Sequence, residues 1–87
     1  MEQAVILTKN DCPYCEQLKK FLHFALQDRY ASHLIIVHQE EQPNVFEDYV
    51  KQYQIKETPT LLFNDDKLTG FAPQAIVDFL IRHFGKK

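Results

Sequence analysis

Cys12-Pro13-Tyr14-Cys15 contains both cysteines of the chain, three positions apart with a proline between them. A disulfide across so short a loop removes little entropy from the unfolded chain: roughly 2 kcal/mol, against about 3 for a fifteen-residue loop. A structural staple would join distant segments, whereas this pair joins neighbours. The spacing therefore points to a dithiol that is made and broken. Proline suits the first position of a helix, which needs no N–H donor, so Cys12 is the expected N-cap. Its sulfur can accept from the backbone N–H groups of Tyr14 and Cys15, which have no partner within the helix. An ordinary thiol with a pKa near 8.5 is only about 3% thiolate at pH 7, and helix-start cysteines reach roughly 3.5–7.5. A drop of three units requires about 4 kcal/mol in favour of the anion. The helix dipole supplies about 0.3–2 kcal/mol. Hydrogen bonds to a charged group supply about 1.5–3 each and should dominate. Lys9, three residues upstream, adds charge if it faces the sulfur. Cys15 lies one turn into the same helix face. Cys12 is thus the expected nucleophile and Cys15 the shielded resolving thiol, acting through a mixed disulfide.

The elements that must hold this pair follow from hydrophobic pattern. Residues 4–8 are a continuous apolar run, as in a central strand buried on both faces. From Pro13, Tyr14, Leu18, Phe21, Leu22, Ala25 and Leu26 recur at helical spacing. Leu34 to Val37 reads as a second strand. Asn44 followed by Glu47 resembles a capping box, opening a helix that continues through Tyr53. Thr60 to Phe63 is a third strand; Asn64-Asp65-Asp66 supplies a turn and Lys67 to Thr69 an antiparallel return. Pro73 opens a last helix that Gly85 stops. The order β-α-β-α-β-β-α predicts an α/β fold. A right-handed crossover pairs the first strands in parallel, a hairpin makes the sheet mixed and four-stranded, and helices cover both faces. The turn after the first strand, at the carboxyl edge of the sheet, carries the cysteines. Pro59 begins a strand at a position where a cis peptide occurs; a cis Thr58-Pro59 bond would leave the Thr58 backbone free to pair with an extended substrate.

Eighty-seven residues make one domain, 1–87, with 45% apolar and 13% aromatic residues suited to a globular core. A net charge of −2, without a basic stripe, argues against nucleic acid as the main partner. The apolar run near the acidic start is too short for a signal peptide or a membrane span. A cytoplasmic monomer is the expectation, and there a Cys-x-x-Cys pair is redox or metal chemistry. As half of a zinc site it would need His33 and His38. The seventeen-residue gap from Cys15 to His33 exceeds the usual run of about twelve to fifteen. On a strand, moreover, the two imidazoles would face opposite sides. No metal is expected there. An iron–sulfur or zinc carrier with ligands shared between chains, and an adaptor with an incidental dithiol, stay open as non-enzymatic alternatives.

Thr8-Lys9-Asn10-Asp11-Cys12-Pro13-Tyr14-Cys15 resembles the active-site segment of dithiol glutaredoxins, within the thioredoxin superfamily. Lys9 stands at that family's basic position. Tyr53-Gln54-Ile55-Lys56, leading to Pro59-Thr60-Leu61-Leu62-Phe63, is similar to the cis-proline segment of thioredoxin. Glutaredoxins usually carry Val where this chain has Thr58, and Gly-Gly with acidic residues where it has Thr69-Gly70-Phe71-Ala72-Pro73-Gln74. Leu68 to Pro73 instead resembles redoxins that serve ribonucleotide reductase and are recycled by thioredoxin reductase. The resemblance implies a thioredoxin-like fold and a thiol–disulfide oxidoreductase with no bound cofactor. Glutathione is the implied co-substrate, or thioredoxin reductase the donor, and the substrates are disulfides of proteins, ribonucleotide reductase among them, or of small molecules. It assigns catalysis to Cys12 and Cys15, and substrate or glutathione contacts to Lys9, Tyr14, Thr58, Pro59, Gly70 and Phe71.

Overall fold

An apolar run can be buried on both faces only at the centre of a sheet, and β1 (Ala4–Thr8) is buried at every residue. The computed structural model of the chain describes residues 3–86, so Met1 and Glu2 of the acidic start and Lys87 of the basic tail lie outside the described residues. After β1 come α1 (Pro13–Lys20), β2 (Leu34–His38), α2 (Pro43–Tyr53), β3 (Thr60–Phe63), β4 (Asp66–Thr69) and α3 (Pro73–Phe84). The sheet runs β2-β1-β3-β4, with β1 parallel to β2 and antiparallel to β3, and β3 and β4 form the hairpin. Alternation along β1 divides the core. Ala4 and Ile6 pack with Leu18 of α1 and Phe79 of α3, while Val5 and Leu7 pack with Phe46 of α2 and Ile55. Helices thus cover both faces, as the order of elements predicts. The outer edge stays open: Ile35 and Ile36 of β2 are 44% and 48% exposed.

Three local expectations are corrected. The first helix does not run evenly to Leu26: after Lys20 the chain widens into π turns over Phe21–Ala25, and Leu26 N–H reaches Phe21 O at 3.1 Å. Wider turns change the phase, so Leu26 follows Leu22 inward while Ala25 is exposed. At α2, Pro43 takes the first helical position and Gln42 precedes it without a side-chain cap, so Asn44 lies inside the helix. A ring that presets φ defines that start in place of the capping box. In the hairpin only Asn64 and Asp65 turn, with Asn64 at φ 53, and Asp66 already pairs with Phe63.

Asp66 has its own task there. Its carboxylate accepts from Arg82 at 2.5 Å and meets His83 Nε2 at 2.7 Å, tying the last turn of α3 to the hairpin. These bonds, Arg82's first and His83's second, hold the Asp66 carboxyl below its usual range. A lowered carboxyl pKa stabilises the fold above the unfolded-state value and ceases to do so as pH falls through the folded one. The pair is partly exposed, so its contribution is modest. Asp66→Asn should lose about 0.5–1 kcal/mol at pH 7, a Tm drop of a few degrees. In thermal melts the gap from the unsubstituted protein should narrow as pH falls below the carboxylate range.

Candidate active site

The site is built where β1 ends and β3 begins, which the antiparallel pairing of these two strands makes neighbours. Beyond Thr8 the chain turns through Asp11 at φ 55, and Asn10 N–H donates to Glu40 Oε1 at 3.0 Å, fixing the turn to the end of β2. Cys12 follows in extended conformation as the N-cap of α1, with Pro13 in the first turn. Cys15 N–H donates to Cys12 Sγ at 3.2 Å, and Glu16 N–H to Cys12 O at 3.1 Å. The two cysteines are joined in a disulfide. Cys15 is fully buried, whereas Cys12 keeps 7% of its surface open to solvent.

From the other side comes Thr58, joined to Pro59 by the expected cis peptide. Its hydroxyl oxygen lies 3.6 Å and its carbonyl oxygen 3.7 Å from Cys12 Sγ. Gly70, at φ 90, donates its N–H to Pro59 O at 2.8 Å and so ties this segment to the end of β4. In the reduced protein the two Thr58 groups would oppose each other. The hydroxyl can donate to a Cys12 thiolate, whereas the carbonyl can accept only from the protonated thiol. The expectation of two amide donors is therefore half met. Cys15 supplies one, no bond from Tyr14 N–H to the sulfur occurs, and the hydroxyl of Thr58 stands where a second donor is needed. Sequence reading gave Thr58 a backbone role; a threonine in place of the usual valine was the signal for a side-chain one.

The remaining expected residues fall around this centre at different depths. Tyr14 is 59% exposed and flanks the opening. Lys9 is exposed and reaches the α2 side, where with Thr58, Lys56 and Glu57 it lines a cleft of about 210 Å³. Neither cysteine lines that cleft. Phe71 turns inward, its ring edge-on to Phe21 at 5.8 Å, so it supports the Gly70 segment from beneath. His33 is not on a strand: it ends a short 3-10 turn before β2 and stacks on Phe84, while His38 ends the same strand far away. Among the described residues no three His, Cys, Asp or Glu side chains come together as metal ligands. Among them, too, no helix is long and apolar enough to cross a membrane.

The sequence pattern of the thioredoxin-like domain matches residues 2–85. The chain belongs to that family. Solved structures agree at the level of fold. Thioredoxin f2 of Chlamydomonas reinhardtii superposes with a TM-score of 0.69 at 20% identity, over 97% of this chain and 80% of that one. A glutaredoxin of Archaeoglobus fulgidus gives 0.66 at 16% identity, over 92% and 87%. A thioredoxin-like protein of Clostridium perfringens gives 0.67 at 21%, over 95% and 70%. No curated protein sequence matches. As a thioredoxin-like domain, the chain carries a cysteine pair capable of redox change at the start of its first helix. Its resemblance to thioredoxins and glutaredoxins alike leaves the subtype undivided.

For this thioredoxin-like domain, reduction should expose one reactive thiol. Iodoacetamide should modify Cys12 with an inflection well below that of an ordinary thiol, near 8.5, and leave Cys15 largely protected. Thr58→Val should raise the Cys12 inflection by about one unit, the loss of one weak donor to the anion. Rates read by mass spectrometry across pH check both.

Proposed function

We propose that the protein is a glutaredoxin-like dithiol oxidoreductase. The observation that carries the reading is the Cys12 sulfur, held at the tip of α1 by the Cys15 amide and the Thr58 hydroxyl, with the fully buried Cys15 sulfur as its disulfide partner one turn away. The Cys12 thiolate attacks a substrate disulfide, forming a mixed disulfide and releasing one thiolate. Cys15 then attacks Cys12, releasing the second product thiol and leaving the Cys12–Cys15 disulfide. Two glutathione thiols return it to the dithiol and leave as glutathione disulfide. No bound cofactor takes part. A cytoplasmic setting, where thiols are kept reduced, suits this cycle.

Support for glutathione comes from Lys9 and Lys56 beside the Thr58 cleft, and from the start of α3 just after Gly70. Ala72 there offers no side-chain cap, and the first turn holds no acidic residue, so its amides are open to a carboxylate. The same lack of acid leaves an ammonium group without a partner. That supports the second reading, a redoxin recycled by thioredoxin reductase and serving ribonucleotide reductase, which the Gly70-Phe71-Ala72-Pro73 stretch resembles.

Two NADPH-coupled assays separate the donors, one with glutathione and glutathione reductase, the other with thioredoxin reductase. Cys12→Ser should abolish turnover in both. Cys15→Ser should retain part of the glutathione-dependent rate through the one-thiol route. Loss of that residue of activity, together with turnover by thioredoxin reductase, would assign the chain to the second donor. Visible absorbance in freshly purified protein would instead favour an iron–sulfur carrier.

A further inference from the structure

The backbone groups on the free side of β2 follow from one hydrogen bond. In a parallel pair the N–H and C=O of a residue point to the same side, and those of the next residue point to the other. Gln39 N–H donates to Thr8 O at 2.9 Å, so Gln39, Val37 and Ile35 turn toward β1 while Leu34, Ile36 and His38 turn outward. Two of the outward groups are already bonded. Leu34 N–H donates to Ala31 O, and His38 O accepts from Glu41 N–H at 3.1 Å and Gln42 N–H at 2.8 Å. Among the described residues, Leu34 O, both groups of Ile36 and His38 N–H are left without a partner, since β2 borders only β1.

These groups form a closed set under one operation. A two-fold axis through Ile36, normal to the sheet, lays a second β2 antiparallel to the first. The two Ile36 residues then exchange N–H and C=O, and each His38 N–H donates to the partner's Leu34 O. The groups that this register leaves out, Leu34 N–H and His38 O, are the two already bonded within the chain. An axis through Ile35 would set Ile36 O against the bonded Leu34 N–H, and one through Val37 would set Ile36 N–H against the bonded His38 O. Of the three, only the axis through Ile36 uses every free group. The side chains agree. Half-exposed Ile36 meets the partner's Ile36 on the α1 face, and half-exposed Ile35 lies against the partner's Val37 on the other. Ile36 and Leu34 also line an apolar groove of about 160 Å³ with Leu22 and Leu26. Lys19 and Asp28 stand at its two ends: Asp28 in the approach to β2, Lys19 before Leu22 on a helix that returns antiparallel to the strands. The two-fold reverses one groove against the other and so brings Lys19 toward the partner's Asp28. Each keeps a local partner, Glu16 at 3.7 Å and His23 at 2.6 Å, so these charges orient more than they bind.

We propose that β2 is the interface of a symmetric dimer of this chain, in which two sheets join edge to edge about an axis at Ile36. Backbone pairing supplies the ladder, the isoleucines its apolar centre and the groove charges its orientation. A second copy matches the free groups and the groove charges by symmetry alone, whereas a foreign strand would have to match the charges through its own sequence. The cysteine turns, at the carboxyl end of β1, then lie at opposite ends of the joined sheet, and the dithiol of each chain works by itself.

Sedimentation equilibrium of the oxidised protein up to about 1 mM tests the dimer, and amide hydrogen exchange read by NMR tests its register. The mass should rise from one chain to two with concentration, and the Ile36 and His38 amides should exchange more slowly as it does. The Ile35 and Val37 amides, turned toward β1, should be equally protected throughout. Ile36→Lys sets like charges on the axis and should raise the dissociation constant about a hundredfold or more, with the alkylation rate of Cys12 unchanged. A one-chain mass at about 1 mM overturns the proposal. So does a dimer that Ile36→Lys leaves intact, or one that protects neither the Ile36 nor the His38 amide. If Ile36→Lys fails to fold in thermal melts, the two amides of the unsubstituted protein decide alone. Their protection only when a disulfide-bearing protein is added, with the chain itself staying single, would give the edge to a foreign strand and overturn the dimer as well.

Discussion

The contact between the Cys15 amide and the Cys12 sulfur is the one on which the rest of the site depends. It exists because the first amides of a helix lack partners and a proline fixes where the helix begins. Once Cys12 is the cap, its sulfur faces the amides, and Cys15 is carried one turn inward to full burial. The narrow opening at the Cys12 sulfur and the full burial of Cys15 thus share a single backbone cause. The short turn through Asp11, tied to Glu40, keeps the cap at the edge of the sheet.

The strand order supplies the second half of the site. With β3 antiparallel to β1, the start of one strand lies beside the end of the other, and residues some fifty positions apart in the sequence become neighbours. Thr58 therefore reaches Cys12 with both its hydroxyl and its carbonyl. One partner favours the anion and the other the neutral thiol. Gly70 joins through its bond to Pro59, so β4 steadies the same segment from the other side. Burial of β1 on both faces makes this platform stiff, since its side chains are fixed by α1 and α3 on one face and by α2 on the other.

Much of this was legible in the sequence, because the strongest signals are local. The four prolines show it best. Pro13, Pro43 and Pro73 each open a helix, and Pro59 follows the cis bond before β3. Three of these were read directly. At Pro43 the competing Asn44 signal was followed, and the ring proved the stronger determinant. The π turns after Lys20 were not legible, because apolar spacing there fits either winding and packing of Leu26 under the sheet decides between them. Around the cysteines, the cap, the buried partner and the cis bond were readable as local rules. The reach of the Thr58 hydroxyl and the inward turn of Phe71 were not. Each depends on strand register between distant segments, which one sequence does not print.

The open side of β2 has a consequence of its own. Leu34-Ile35-Ile36-Val37-His38 carries no lysine and no proline, the usual guards of a strand with a free backbone edge, and two of its isoleucines stand about half uncovered. The opposite border, β4, bears Asp66 and Lys67 and is protected accordingly. A strand added to this sheet would therefore join along β2 and not along β4, and two copies meeting there would use up each other's free edge and close at a pair.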